Sequence, residues 1–235
     1  MTTETRTGAE ALVSTLADCG VTACFANPGT SEMNLVTALD KEPRIRSVLC
    51  LFEGVATGAA DGFGRVSEKP AMTLLHLGAG YLNGGANIHN AKRAYTPMIN
   101  VIGDHATYHV RYDAPLTSNI IGLAAPNSIW IKSVPDSSSA GRLAAESFHA
   151  SMSGGQGPVS LILPADAAWD EGGELSTPFA PGESKKVAAD AISSVAAAIK
   201  AAKKPLILMS GNALSEDGLS EASRLKAAGV RVMTD

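Results

Sequence analysis

Cysteine is scarce in this sequence. Three occur in 235 residues, Cys19, Cys24 and Cys50, forming neither a CxxC pair nor the even framework that staples small secreted domains. Cys50 lies inside an apolar run, as a small core residue would, and the expected compartment is a reduced one, the cytoplasm. A leader is also missing from the pattern: MTTETRTGAE does not place a charged segment before an apolar one, as a signal peptide does. No apolar run reaches the roughly 20 residues that cross a bilayer. Charge bias is weak, a net −4 without long runs, which gives no footprint for nucleic acid or an anionic membrane. The expected partner is a small molecule. Internal repeats and low-complexity segments are absent too, which excludes a solenoid.

What is present is enough to bury a core. The chain is 45% hydrophobic and 18% charged, and its length suits one complete domain plus part of another. Thr7 is placed to cap a helix whose apolar face is Ala11, Leu12 and Leu16, with Val13 beside it, ending at Gly20. Residues 21–26 read as a strand, and the turn Asn27-Pro28-Gly29-Thr30-Ser31 opens a helix with Met33, Val36 and Leu39 or Ala38 inward. Residues 45–52 read as a second, buried strand, and residues 54–66 as the next helix. Residues 70–76 form a third strand whose near-continuous apolar content predicts burial on both faces. Gly78-Ala79-Gly80 turns into a helix reaching about residue 93, and residues 97–103 form a fourth strand.

Residues 104–127 read as a long irregular stretch, of the length that is usually functional or partner-facing. Strands at 129–133 and 158–163 flank a helix at 139–152. Alternation of helical and strand periods predicts an α/β fold: a doubly wound, mostly parallel six-stranded sheet with helices on both faces. From Pro164 the run PADAAWDEGGELSTPFAPGESKK keeps no period and reads as linker. A helix at 187–202, a strand at 205–210, a helix at 215–228 and a strand at 230–233 then begin a second α/β unit, too short to cover both faces of a sheet. The expected organisation is a domain at 1–170, a linker at 171–186 and an incomplete domain at 187–235, so the chain reads as a fragment of a longer protein.

Glu53 follows the apolar run Leu49-Cys50-Leu51-Phe52. Open α/β sheets place ligands outside the carboxyl ends of their strands, although a carboxylate at a helix N-terminus also needs no more than the macrodipole to explain it. The helix after it carries Gly54, Gly58, Gly62 and Gly64. At about 1 kcal/mol each relative to Ala, four glycines point to close packing of a helix or subunit. His76 stands at the end of the third strand, where it would face the same crevice. Gly78-Ala79-Gly80, with Asn83 in place of a third glycine and Asp104 after the next strand, is a near-match to a dinucleotide fingerprint. It supports a rival reading as a dinucleotide-binding oxidoreductase. His105 and His109 have the spacing of two helical metal ligands but no HExxH order and no convincing helix, so no metal site is read there. Arg65, Lys92 and Arg93 read as solvated helix ends.

An ordered series of motifs carries a resemblance: Asn27-Pro28-Gly29-Thr30, Glu53-Gly54, Gly58 to Arg65, Lys69-Pro70-Ala71, Gly78 to Asn83, Pro97, Gly157-Pro158-Val159 and Leu163-Pro164. Over about residues 7 to 170 the chain resembles the pyrimidine-binding domain of thiamine-diphosphate-dependent enzymes, the group of acetolactate synthase, pyruvate oxidase and benzoylformate decarboxylase. Residues 187–235 look like the start of that family's central domain. The family's Gly-Asp-Gly motif, which with an Asn binds Mg2+ and diphosphate, occurs nowhere here; the resemblance therefore implies that Mg2+ is held by a domain absent from this chain.

The resemblance further implies a role for each residue. Glu53 would hydrogen-bond the pyrimidine N1′ of thiamine diphosphate, with Asn27, Pro28, Gly29 and Asn83 around the ring. His76 would transfer protons near the substrate and Thr30 would orient it. Thr30 and His76 match benzoylformate decarboxylase, which implies non-oxidative decarboxylation of a 2-oxo acid, with acetolactate synthase-type carboligation as the alternative. Active sites in this family lie between subunits, so a homodimer or homotetramer is implied. A non-catalytic or split pyrimidine-domain module that only binds a partner is the reading from another class.

Overall fold

The computed structural model describes residues 5–179 and 186–234. The chain forms two compact units, Met1–Pro181 and Gly182–Asp235. Residues 180–185 of the expected linker lie outside the described residues.

The first unit is built on six strands: β1 (Ala23–Asn27), β2 (Arg46–Leu49), β3 (Ala71–Leu75), β4 (Met98–Asp104), β5 (Trp130–Ser133) and β6 (Pro158–Pro164). Their order is β2-β1-β3-β4-β6-β5 and every pairing is parallel. Among the described residues seven α-helices accompany them: α1 (Gly8–Asp18), α2 (Met33–Asp40), α3 (Glu53–Ser67), α4 (Leu77–Arg93), α5 (Ile120–Ala124), α6 (Ala140–Met152) and α7 (Ala165–Trp169). This is the doubly wound α/β architecture expected from the alternating periods.

Alternation along the strands sorts side chains onto two faces. Met72, Leu74, Ile99 and Val101 join Leu12, Leu16 and Leu35 in one core, under α1, α2, α6 and α7. Leu75, Met98 and Ile102 join Ala60, Tyr81 and Ile88 in the other, under α3, α4 and α5. β3 is buried along its whole length. A polar row crosses the second face. Thr73 pairs in register with Asn100, and Asn100 with Ser160. Thr73 Oγ1 donates to Asn100 Oδ1 at 2.8 Å, Asn100 Nδ2 donates to Val159 O at 3.1 Å, and Ser160 meets Ser128 at 2.8 Å.

Local chemistry sets the element ends. Thr7 and Glu10 form a reciprocal capping box, Glu10 N–H to Thr7 Oγ1 at 3.2 Å and Thr7 N–H to Glu10 Oε2 at 3.0 Å. Cys24 is buried in β1, and burial pushes its thiol up to about 12.

Three local expectations change. Residues 45–52 do not form a buried strand: β2 has four residues and lies at the sheet edge, with β1 as its sole neighbour. The chain turns away after Cys50 N–H bonds Ala26 O at 2.8 Å, leaving Leu49 73% and Leu51 93% exposed. In α2, Met33 points outward at 51% exposure, and Leu35, Ala38 and Leu39 face the core. After Pro164 the chain does not loosen at once. α7 buries Ala165, Ala167 and Ala168, Gly173 N–H bonds Arg6 O at 2.9 Å, and Ser176 N–H bonds Thr15 Oγ1 at 3.2 Å.

In the second unit, α8 (Ala189–Ala201), β7 (Leu206–Met209), α9 (Glu216–Ala227) and β8 (Arg231–Thr234) follow in order. β7 and β8 pair in parallel, and Ser215 caps α9 by accepting from Gly218 N–H at 3.3 Å.

Candidate active site

The strand order reverses between β1 and β3: from β1 the chain runs outward to β2, and from β3 it runs the other way to β4. Ligands of open α/β sheets bind at such switch points, outside the carboxyl ends of the strands. Here those ends are Asn27 and the residue after Leu75, His76.

Beyond Asn27, Pro28 and Gly29 turn the chain into a short 3-10 helix, Thr30–Glu32. Glu32, which the sequence reading passes over, is fully buried. Its Oε2 accepts from Gly29 N–H at 2.7 Å and lies 2.7 Å from His76 Nδ1. Its Oε1 has no hydrogen-bond partner. Burial pushes the Glu32 carboxyl above the ordinary carboxylate range, against the lowering influence of His76 and Gly29. A hint of Glu32 was in the sequence: an acid three residues after a turn residue is one half of a capping box. The His76 ring lies against Gly29 so closely that a side chain at Gly29 would collide with it.

His76 precedes Leu77, a buried residue with φ +54. A non-glycine residue rarely adopts that conformation, and it is held only where packing compels it. The sharp turn lets α4 start at once, with Gly80 N–H on His76 O at 2.7 Å.

Glu53 is the first residue of α3 rather than the last of a strand, and is 7% exposed. Its Oε2 accepts from Asn83 Nδ2 on α4 at 3.0 Å. A Cβ at Gly80 would come within 2.7 Å of Glu53 Oε1, and one at Gly84 within 2.7 Å of Thr57 Cγ2. Thr57 Oγ1 donates to Glu53 O and to Gly84 O, each at 3.0 Å, and Asn87 Nδ2 donates to Gly54 O at 2.7 Å. The glycine-rich helix therefore packs on a helix of its own domain. Gly64 is committed as well, against Thr96 and Pro97, whereas Gly62 faces open space.

Of the predicted residues, Glu53 is joined to Asn83, and Gly29 to His76 through Glu32. Asn27 and Pro28 are half-buried, and Thr30 and Asn83 are exposed. The near-fingerprint at Gly78 and Gly80 serves contacts of the chain itself. Side chains there would meet Ser118 and Glu53. His105 and His109 stack edge to face, ring centroids 5.5 Å apart. Among the described residues no group of three or more His, Cys, Asp or Glu converges as a metal site would. Around Glu53 the surface is apolar and exposed, with Leu51, Phe52 and Val55 on its own segment. No described helix is long and apolar enough to cross a membrane.

Residues 6–123 match the family model described as thiamine pyrophosphate enzyme, N-terminal TPP binding domain. A Mycobacterium tuberculosis protein provisionally named acetolactate synthase large subunit IlvX is 47% identical over 225 residues, 95% of this chain and 43% of that protein. An X-ray structure of a provisionally named thiamin diphosphate-dependent enzyme from Mycobacterium smegmatis superposes with a TM-score of 0.81 at 26% identity, over 98% of this chain and 44% of that one. The 4-hydroxybenzoylformate decarboxylase of Rhodococcus jostii RHA1, thiamine diphosphate-dependent, shares the fold, with a TM-score of 0.79 at 22% identity over 86% of this chain and 39% of that one. The chain spans less than half the length of these proteins.

Proposed function

The chain belongs to the thiamine pyrophosphate enzymes, of which it carries the N-terminal TPP binding domain, and from that premise we propose that the whole protein decarboxylates a 2-oxo acid without oxidation. The observation that carries this reading is the seat of His76. A half-buried imidazole stands at the switch point against the Asn27–Glu32 turn, with one ring nitrogen committed to Glu32.

The residues present fit the pyrimidine end of thiamine diphosphate. Glu53 is a buried carboxyl at the N-terminus of α3, and Gly80 keeps the space beside its Oε1 free of any side chain. When bound, the cofactor supplies an acidic thiazolium carbon and a sink for the electrons released with CO2. Glu53 would hold the hydrogen bond to N1′ that sets the tautomer of the aminopyrimidine. Asn27, Pro28, Gly29 and Asn83 would frame that ring. Thr30, exposed at the mouth of the turn, would orient the substrate carboxylate, and His76 would carry a proton to or from the reacting carbon. Mg2+ and the diphosphate would be held by residues outside this chain.

The exposed Leu51, Phe52 and Val55 beside Glu53 support a homodimer or homotetramer in which that edge is covered by a second subunit. A second reading, carboligation of the acetolactate synthase type, draws support from the name of the Mycobacterium tuberculosis relative. Products separate the two: an aldehyde formed with CO2 from a panel of 2-oxo acids supports decarboxylation, and a 2-hydroxy-3-oxo acid, formed from two 2-oxo acids with loss of one CO2, supports carboligation. The assignment of Glu53 is tested in the full-length protein with thiamine diphosphate and Mg2+. Glu53→Gln should abolish exchange of the C2 proton of the bound cofactor, and undiminished exchange would overturn it.

A further inference from the structure

The buried cluster under the switch point holds a residue with no role so far. Glu32 is fully enclosed, on a 3-10 helix that starts directly after Gly29. An enclosed carboxyl costs free energy unless its oxygens are paired, yet here only one oxygen is. Oε2 takes two contacts, from Gly29 N–H and from His76 Nδ1, both at 2.7 Å. Oε1 takes none and lies directly over Gly103, the next-to-last residue of β4, where any side chain would occupy its place. Three elements therefore leave this carboxyl one position. β4 presents a glycine, the β1 turn presents an N–H, and β3 presents a ring.

Oε2 accepts from the Gly29 N–H and turns a second lone pair toward the ring, so a Glu32 that is ionised, or protonated on Oε1, takes the ring nitrogen as its donor. A histidine whose Nδ1 is committed in this way carries its exchangeable chemistry on Nε2. We propose that Glu32 is a positioning residue for His76: it fixes the ring proton on Nδ1, holds the ring flat against Gly29, and leaves Nε2 as the atom that meets the crevice. Gly103 is the space that makes this possible. The catalytic consequence rests on the reading of His76 as the proton-transfer group, whereas the tautomer does not.

The test reads the tautomer directly. In this chain labelled with 15N-histidine, the His76 resonances are assigned by their loss in His76→Gln and followed at a pH where the ring is neutral. In the wild type and in Glu32→Gln, whose amide oxygen still accepts, Nδ1 should be protonated and Nε2 bare. In Glu32→Leu the proton should move to Nε2. Gly103→Ala, which displaces the carboxyl without removing it, should give the same move should the leucine variant fail to fold. A protonated Nε2 in the wild type, or a tautomer unchanged in Glu32→Leu and Gly103→Ala, would overturn the proposal. In the full-length protein Glu32→Leu should lower kcat by about 10²-fold, as expected for a lost acid–base contribution, with KM little changed and Glu32→Gln largely restored. A tautomer that moves in a protein inactive on every 2-oxo acid would sink the functional reading and leave the positioning role intact.

Discussion

Glu32 and Glu53 are both buried glutamates beyond the carboxyl ends of the strands, and the chain holds them in different ways. Glu32 is locked from within, between a turn amide, a histidine ring and the bare backbone of β4. Glu53 rides on the first turn of α3, bonded to an exposed asparagine and flanked by exposed apolar residues. A carboxyl enclosed on every side can only hold something of its own chain. One enclosed by its own helices but bordered by uncovered apolar surface is built to meet something else. The difference separates a residue that arranges from a residue that engages.

The largest expected effect bears on the seat of Glu53. Gly80→Ala brings a Cβ toward Glu53 Oε1, to 2.7 Å if nothing moves, so the carboxyl must shift. A misplacement of about 1 Å at a reacting centre costs about 10²-fold, and turnover of the full-length protein should fall by up to that much. Unchanged turnover would break the contrast, because Glu53 would then need no defined position.

A smaller effect comes from the pH dependence of stability. The Glu32 carboxyl is raised by burial, so its favourable contribution is fully present below the unfolded carboxylate pKa of about 4.3 and is lost as pH rises through the raised folded value. Glu32→Gln cannot ionise. The stability of the wild type relative to this variant should therefore fall as pH climbs through that window, read from urea midpoints at a series of pH values. A difference that does not vary with pH would mean that Glu32 is not held as described.

The smallest effect on folding is expected at Leu51, 93% exposed. Leu51→Asp should change the stability of this chain by no more than about 0.5 kcal/mol, as exposed substitutions do. In the full-length protein it should lower the sedimenting mass, if that edge meets a second subunit. An unaltered mass would leave the apolar border of Glu53 without a use.

Some of this was legible in the sequence for definite reasons. β3 is apolar throughout because both its faces are covered. The turn at Pro28 and Gly29 and the helix after Glu53 follow from local chemistry that needs no partner. What was not legible depends on neighbours far away in sequence. Leu49 and Leu51 look like core residues, and only the edge position of β2 makes them surface. Glu32 looks like a solvated helix residue until Gly103 and His76, 71 and 44 positions away in the chain, close over it. The glycines of α3 spoke of close packing, but not that the neighbour would be α4. The preference for decarboxylation over carboligation had two side chains to rest on, Thr30 and His76.

The polar row Thr73–Asn100–Ser160 has a bearing on how this site comes to be correctly made. A sheet held by leucine, isoleucine and valine alone would tolerate a slip of two residues, since the same faces would stay apolar. Here such a slip would separate Thr73 from Asn100 and Asn100 from Val159 O, at about 1–3 kcal/mol for each buried group left unpaired. The row therefore penalises every register but the native one, which apolar side chains alone would not do. His76 lies three residues beyond Thr73 and Gly103 three beyond Asn100, so the register pinned in the middle of the sheet also sets the histidine level with the glycine that lies under Glu32.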